Sequence, residues 1–272
     1  MKNVMVRAAS GAVYVAIIVG AILGGPYWFF LLTAVLASWA VFEFNSVVGL
    51  NGAKVNLFAI LDATAAIVLA WLPLAGLLNT IGVLPLLLMV YFLLRGVAAL
   101  YDRREHPFRN CAWSVFSVVY LGLPMLALNS LYAIAYPDSK WLVLIVFIMI
   151  WLNDTGAFCV GSTLGRHKMF PRLSPKKSWE GFAGGLIFCL VAAWVCSCWF
   201  NVLNLTLWQW LGLGAIACAF STWGDLFESM LKRNAGVKDS GSLIPGHGGI
   251  LDRIDSLLFV APATAVFIIL VS

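Results

Sequence analysis

Nine apolar runs, each near the roughly 20 residues a helix needs to cross a bilayer, dominate this 272-residue chain. They fall at about 11–24, 27–48, 55–75, 81–100, 114–136, 141–160, 181–200, 208–227 and 254–271. Inside hydrocarbon every backbone N–H and C=O must find a partner within the protein, so such runs become helices. Charged residues make up only 11% of the chain, against about 25% in soluble domains. The expectation is an all-α polytopic membrane protein with about nine transmembrane helices. No linker divides it, so residues 1–272 read as one integral membrane domain. Within it, 1–136 offers helices of unassigned role, and 141–272 carries the polar loops where chemistry can sit. The first run is short and borrows residues from Val6 onward. No small-residue cleavage site follows it in a polar stretch, so it reads as an uncleaved span. Trp28, Trp71, Trp141, Trp199 and Trp208 fall near run ends, as an interfacial aromatic belt requires.

The cations test this map. With the N-terminus in the cytoplasm and nine alternating spans, all of the 17 Lys+Arg except Lys140 fall on the inner side. The positive-inside rule therefore supports a cytoplasmic N-terminus and an outside C-terminus. The weakest point is the short uncharged connection at 75–81. Topology also explains the net charge of +5, so the basic residues do not call for nucleic acid. The six cysteines lie mostly within apolar runs, without metal-site spacing, and read as free buried thiols.

The longest polar stretch interrupts the last two runs: SMLKRNAGVKDSGSLIPGHGGILDRIDS, residues 229–256. It holds Lys232, Arg233, Lys238 and Arg253, the acids Asp239, Asp252 and Asp255, five glycines and one of three histidines. Cations, carboxylates and backbone-permissive glycines in one place suit phosphates and a metal ion. A solvated connector with positive-inside bias would share the composition.

Acids within or beside membrane helices are costly and mark functional candidates. Glu43, Asp62, Asp154 and Asp225 are such acids. Asp154 and Asp225 fall near the cytoplasmic ends of their runs, and Asp252 and Asp255 at the cytoplasmic start of the last. For Glu43 and Asp62 an interhelical hydrogen bond is at least as good a reading as catalysis. Asp225, Ser229 and Lys232 are spaced to share one helical face, as are Asp252, Asp255 and Ser256. Carboxylates on two facing helices suit Mg²⁺, and ion pairs with Lys232, Arg233 and Arg253 are the competing reading. His247, among Gly246, Gly248 and Gly249, could donate to a phosphate or act as an acid, and the glycines permit close approach of backbone to phosphate.

A second polar island, GRHKMFPRLSPKKSWEG, precedes the seventh run. Ser174-Pro175 reads as N-cap and first helical residue. That would place Lys176 and Lys177 in a first helical turn, where a docked anion would offset the dipole. Positive-inside bias again accounts for cations there without a ligand.

These two islands resemble the family of phosphatidate cytidylyltransferases (CDP-diacylglycerol synthases). The matching elements are Ser229 with Lys232-Arg233, Lys238-Asp239, Pro245 to Gly249, and Asp252-Arg253 with Asp255, without a gap. Ser174 to Gly181 and Asn153-Asp154 extend the resemblance upstream. Residues before Asn153 contribute only hydropathy. The resemblance implies cytidylyl transfer from CTP to phosphatidic acid at the cytoplasmic membrane boundary, giving CDP-diacylglycerol and pyrophosphate. It implies Asp225, Asp252 and Asp154 as Mg²⁺ ligands, and Asp225, Asp252, Asp255, Lys232 and His247 as catalytic. Lys176, Lys177, Ser229, Arg233, Lys238, Asp239, Gly248, Gly249 and Arg253 would bind substrate. Homo-oligomerisation stays open. Another CTP-using lipid enzyme, a lipid kinase or CDP-lipid synthase, fits the same residues. A transporter fits less well, because the charges gather at one face and no inverted repeat is visible.

Overall fold

Apolar sequence without a competing partner for its backbone folds as helix, and the computed structural model bears this out with nine α-helices among the described residues. It describes residues 2–50, 57–73, 83–134, 136–200, 202–244 and 248–271, with side chains described from 9 onward and excepting 57 and 58. In order, the elements are α1 (Lys2–Gly24), α2 (Pro26–Val47), α3 (Leu57–Trp71), α4 (Val83–Leu100), α5 (Pro107–Ala133) and α6 (Ser139–Leu164), then the strands β1 (Lys168–Phe170) and β2 (Ser174–Ser178), then α7 (Trp179–Trp199), α8 (Leu207–Asn234) and α9 (Leu251–Val271). Six of the helices, α2, α4, α5, α6, α7 and α9, are long and apolar enough to cross a membrane by length and composition. Shorter apolar helical stretches are Ala9–Gly24 and Ala59–Trp71. The expected boundary at 75–81 and the expected histidine, His247, lie outside the described residues.

The chain divides into two compact units: Met1–Ser130 with Asp239–Arg253, and Leu131–Lys238 with Ile254–Ser272. In the first unit Gly25, at φ 108°, breaks α1, and Pro26 at the first helical position starts α2. The inner face of α2 buries Phe29, Phe30, Ala34, Ala37, Ala40, Val41 and Phe44. Phe44 meets Trp113, Phe116 and Tyr120 of α5 at ring-centroid distances of 6.1, 5.8 and 6.1 Å. Polar side chains tie the same helices together, as hydrogen bonds in a waterless interior do. Asp62 of α3 accepts from Asn45 Nδ2 at 3.0 Å and Tyr91 OH at 2.8 Å, and from Ser114 Oγ. Arg95 Nε of α4 lies 3.6 Å from the same carboxylate. Asp62 is therefore a structural hub. Asn129 Nδ2 likewise donates to Thr33 Oγ1 at 2.8 Å and to the Ala70 carbonyl at 2.6 Å.

In the second unit small residues let backbones approach closely. A Cβ on Gly181 of α7 would lie 2.9 Å from the Ala157 carbonyl of α6, and one on Gly184 would lie 2.8 Å from that of Gly156. On α8, a Cβ on Gly214 would lie 2.8 Å from the Cys189 carbonyl, and one on Gly224 would lie 2.6 Å from the Asp255 carbonyl of α9. Ser256 Oγ donates to the Ser221 carbonyl at 3.1 Å, closing the α8–α9 contact. Cys111, Cys189 and Cys218 are buried, as expected, whereas Cys159 and Cys198 are exposed and Cys196 is half-buried; all are free thiols.

The second polar island corrects the expected helix start. Ser174 and Pro175 lie in β2, which pairs antiparallel with β1. Ser178 caps α7, accepting from the Gly181 N–H at 3.1 Å. Proline disfavours helical backbone at the residue before it and tolerates an edge strand, and both strands of a two-stranded hairpin are edges. Lys176 and Lys177 therefore stand on successive strand positions and not in a helical first turn. Glu180, in the first turn of α7, accepts from the backbone N–H groups of Arg166 and His167 at 3.2 and 3.1 Å and so holds the entry to the hairpin.

Candidate active site

In the second unit, the close α8–α9 contact at Gly224 sets the geometry of the acids. The residue after it, Asp225, and Glu228 one turn on lie with Asp255 so that one oxygen from each falls within 4.8 Å of the others. Ser256 N–H donates to Asp255 Oδ1 at 2.6 Å, and Ser229 Oγ donates to Asp225 Oδ1 at 3.3 Å. Two lysines face the three acids. Lys177 Nζ of β2 is 2.8 Å from Asp225 Oδ2 and donates to the Thr222 carbonyl at 3.0 Å. Lys232 pairs with Glu228 one turn back on α8. Ser229 thus joins Asp225 as its spacing requires, while Lys232 turns to Glu228.

The β hairpin, α6, α7 and α8 border a cavity of about 310 Å³. Asp154, Lys176, Lys177 and Asp225 line it, together with Ser174 and Thr222. The SPKK element, the ND element and the α8 acid, far apart in sequence, thus bound one space. Asn153 stays out of solvent and donates from Nδ2 to Ser221 Oγ at 3.2 Å. A space lined by two lysines and two carboxylates can hold an anion together with a cation. Three hard oxygen ligands close enough to share one ion fit Mg²⁺, which takes few protein carboxylates and completes its shell with phosphate and water. Their mutual repulsion, opposed among the described residues by Lys177 and Lys232, would be relieved by a divalent cation.

The C-terminal end of α8 closes on Gly236, at φ 71°, and Val237 N–H returns to the Lys232 carbonyl at 3.0 Å. Arg233 Nη1 donates to the Val237 carbonyl at 3.0 Å. Lys238 is exposed beyond this turn.

The polar segment of the first unit is organised separately. Asp239 is exposed. Asp252 Oδ2 accepts from Ser240 N–H at 3.0 Å, Ser240 Oγ at 3.0 Å and Gly249 N–H at 2.8 Å. Gly248, at φ 82°, has no room for a Cβ, which would lie 2.5 Å from that oxygen. Ile244 N–H meets the Gly248 carbonyl at 2.9 Å. Tyr14 OH of α1 donates to the Arg253 carbonyl at 3.1 Å, while the Arg253 side chain is exposed. One oxygen of Asp252 thus shapes the motif segment. Glu43 of α2 joins it, accepting from the Ile250 and Leu251 N–H groups at 3.0 and 2.9 Å.

One of these residues, Glu228, escaped the sequence reading. Glu228 follows Asp225 by three positions and shares its helical face, a signal present in the sequence. Glu43 is already among the candidate acids in sequence, where an interhelical hydrogen bond is at least as good a reading as catalysis, but nothing local names its partners.

Comparison with known proteins accords with this geometry. A model described as the cytidylyltransferase family matches residues 5–271. A phosphatidate cytidylyltransferase of Staphylococcus aureus (strain COL) is 39% identical over 168 residues, 62% of this chain and 63% of that protein. One from Staphylococcus haemolyticus (strain JCSC1435) is 38% identical over 183 residues, 67% of this chain and 68% of that protein. The match thus spans somewhat under two thirds of the S. aureus relative's length. With a family match over residues 5–271 that takes in both polar islands and the paired α8 and α9 acids, the chain belongs to the cytidylyltransferase family.

Proposed function

We propose that this protein transfers the cytidylyl group of CTP to phosphatidic acid, producing CDP-diacylglycerol and pyrophosphate for phospholipid synthesis. The observation that carries the reading is the cavity lined by Lys176, Lys177, Asp154 and Asp225 beside the Asp225–Glu228–Asp255 cluster. The names of the staphylococcal relatives supply the substrates. A phosphate oxygen of the lipid attacks the α-phosphorus of CTP. A new P–O bond forms as the bond between that phosphorus and the oxygen bridging to the β-phosphate breaks, and pyrophosphate leaves. Such transfers need little covalent help from protein; they need alignment and charge neutralisation. Lys176 and Lys177 would hold the triphosphate, with Lys232, Arg233 and Lys238 adding positive charge near the end of α8. Asp225, Glu228 and Asp255 would hold Mg²⁺, with Asp154 as a further carboxylate beside them, and Asp252 is proposed as a ligand on the family motif alone. Bound there, the ion would neutralise phosphate charge. Lys177 would leave Asp225 for a phosphate when nucleotide enters.

The chain would run with its N-terminus in the cytoplasm, nine spans and the C-terminus outside. Its active face would then meet cytoplasmic CTP and the inner-leaflet lipid together. Purified protein given labelled CTP and phosphatidic acid should release pyrophosphate and form labelled CDP-diacylglycerol. With CTP labelled at the γ-phosphate, label appearing in a lipid lacking cytidine would assign a lipid kinase instead, and no nucleotide consumption would end the enzymatic reading.

A further inference from the structure

The start of α9 is held by a side chain about two hundred residues earlier in the chain. Glu43 lies near the C-terminal end of α2 and is 5% exposed. Its Oε1 accepts from Ile250 N–H at 3.0 Å and Trp39 Nε1–H at 3.2 Å. Its Oε2 accepts from Leu251 N–H at 2.9 Å and lies 3.1 Å from Ser240 Oγ. The Ile250 and Leu251 amides open α9 and have no partner within that helix. Ile250, immediately before the helix, has no side chain able to cap it. Glu43 supplies from another helix the negative charge that a helix N-terminus attracts. Ser240 Oγ is also 3.0 Å from Asp252 Oδ2, so one hydroxyl lies between the two carboxylates and its proton serves one of them at a time. Two glycines make room. A Cβ on Gly241 would lie 2.7 Å from Glu43 Oε1, and one on Gly249 would collide with Oε2.

We propose that Glu43 is a positioning residue that clasps the 240–251 segment and so fixes Asp252 and the first turn of α9 for nucleotidyl transfer; its chemical part rests on the function proposed above. A buried carboxylate is an expensive way to pack membrane helices, since an apolar residue would fill the same space without desolvation. Among the described residues, three of the four groups within hydrogen-bond distance of its carboxylate belong to the polar segment and one, Trp39, to its own helix. Its geometry thus serves the segment, as partners behind ligating residues do at metal and phosphate sites.

The test compares Glu43→Gln and Gly241→Ala with the wild-type full-length protein in detergent. The glutamine places an amide NH₂ against backbone donors. The alanine pushes the carboxylate away while leaving it charged, so it tests the clasp even if Glu43→Gln folds poorly. Amide hydrogen exchange over 248–253 should speed up in both variants. The rate per folded enzyme, or the Mg²⁺ concentration for half-maximal rate, should worsen by about 10- to 100-fold, with the KM for CTP changing less. Unchanged exchange in both variants would remove the clasp. Faster exchange with wild-type kcat and Mg²⁺ dependence would make Glu43 structural only and overturn the proposal. Absence of CTP turnover in the wild type would refute the enzymatic reading instead, and the exchange measurement would still decide the clasp.

Discussion

At the scale of single residues, Asp225, Glu228 and Asp255 matter because three carboxylates share one small volume. If they serve a cation, charge and not shape is what counts. Asp225→Asn and Asp255→Asn keep size but lose charge, and each should lower turnover by on the order of 10²-fold in folded protein. The double variant should be little worse than either single one, since both serve one ion. Nucleotidyl transfer titrated with Mg²⁺ checks this, and near-normal activity in either variant would strike that residue from the ligand set. The lysines separate by geometry. Lys177 holds Asp225 at 2.8 Å, while Lys176 is exposed at the cavity. Lys176→Ala should chiefly raise the KM for CTP. Lys177→Ala should lower kcat as well, because it also releases Asp225. Steady-state kinetics at varied CTP distinguish the two, and wild-type constants in both would remove the hairpin from substrate binding.

At the scale of elements, the α8–α9 contact depends on an absent side chain. A Cβ on Gly224 would lie 2.6 Å from the Asp255 carbonyl, against backbone that cannot rotate away. Gly224→Ala should therefore force the helices apart, at about 1–3 kcal/mol for overpacking, and pull Asp255 from Asp225. Lower Tm in detergent together with lost turnover is the expected result; full activity would mean that the acids need no such close approach. In the turn before α5, Asp102 accepts from Arg104 N–H at 3.1 Å and Nε at 2.8 Å, with Nη2 2.7 Å from its other oxygen. The Arg104 guanidinium holds the Asp102 carboxyl down from 3.8 to about 2. A depressed carboxylate stabilises the fold while ionised. That contribution is complete above about pH 4 and fades as pH falls toward about 2. The Tm difference between wild type and Asp102→Asn should hold steady through neutral pH and shrink across that acid window. A difference insensitive to acid would assign the turn's stability to something other than this pair.

For the whole molecule, helices and family membership together describe a multi-pass membrane protein. The charge distribution adds an orientation that is directly testable. A reporter fused after Ser272 should read outside the cytoplasm if nine spans start from an inner N-terminus. A cytoplasmic reading would place the miscount near 75–81, or at one of the two shorter apolar stretches. The segment 239–253, which reads in sequence as part of the catalytic half, groups by its contacts with the N-terminal helices. The N-terminal half therefore does more than anchor: Glu43 and Tyr14 both bond to that segment.

The helices themselves were written in hydropathy, because a bilayer leaves a long apolar segment no other way to satisfy its backbone. The same sequence disclosed the two polar islands and the pairing of Ser229 with Asp225, which helical spacing alone enforces. Helix ends were less legible. α5 begins at Pro107, ahead of the apolar run, since Arg109 and Asn110 interrupt the hydropathy without interrupting the hydrogen bonding. The Ser174–Pro175 start failed because two serines compete for one cap, and hairpin pairing with Lys168–Phe170 selects the later one. Contacts between distant segments needed the tertiary structure. Nothing local says that Lys177 meets Asp225, that Glu228 turns inward beside Asp255, or that Glu43 caps α9. Those contacts depend on how closely helices approach, and that is set by glycines whose partners lie elsewhere in the chain.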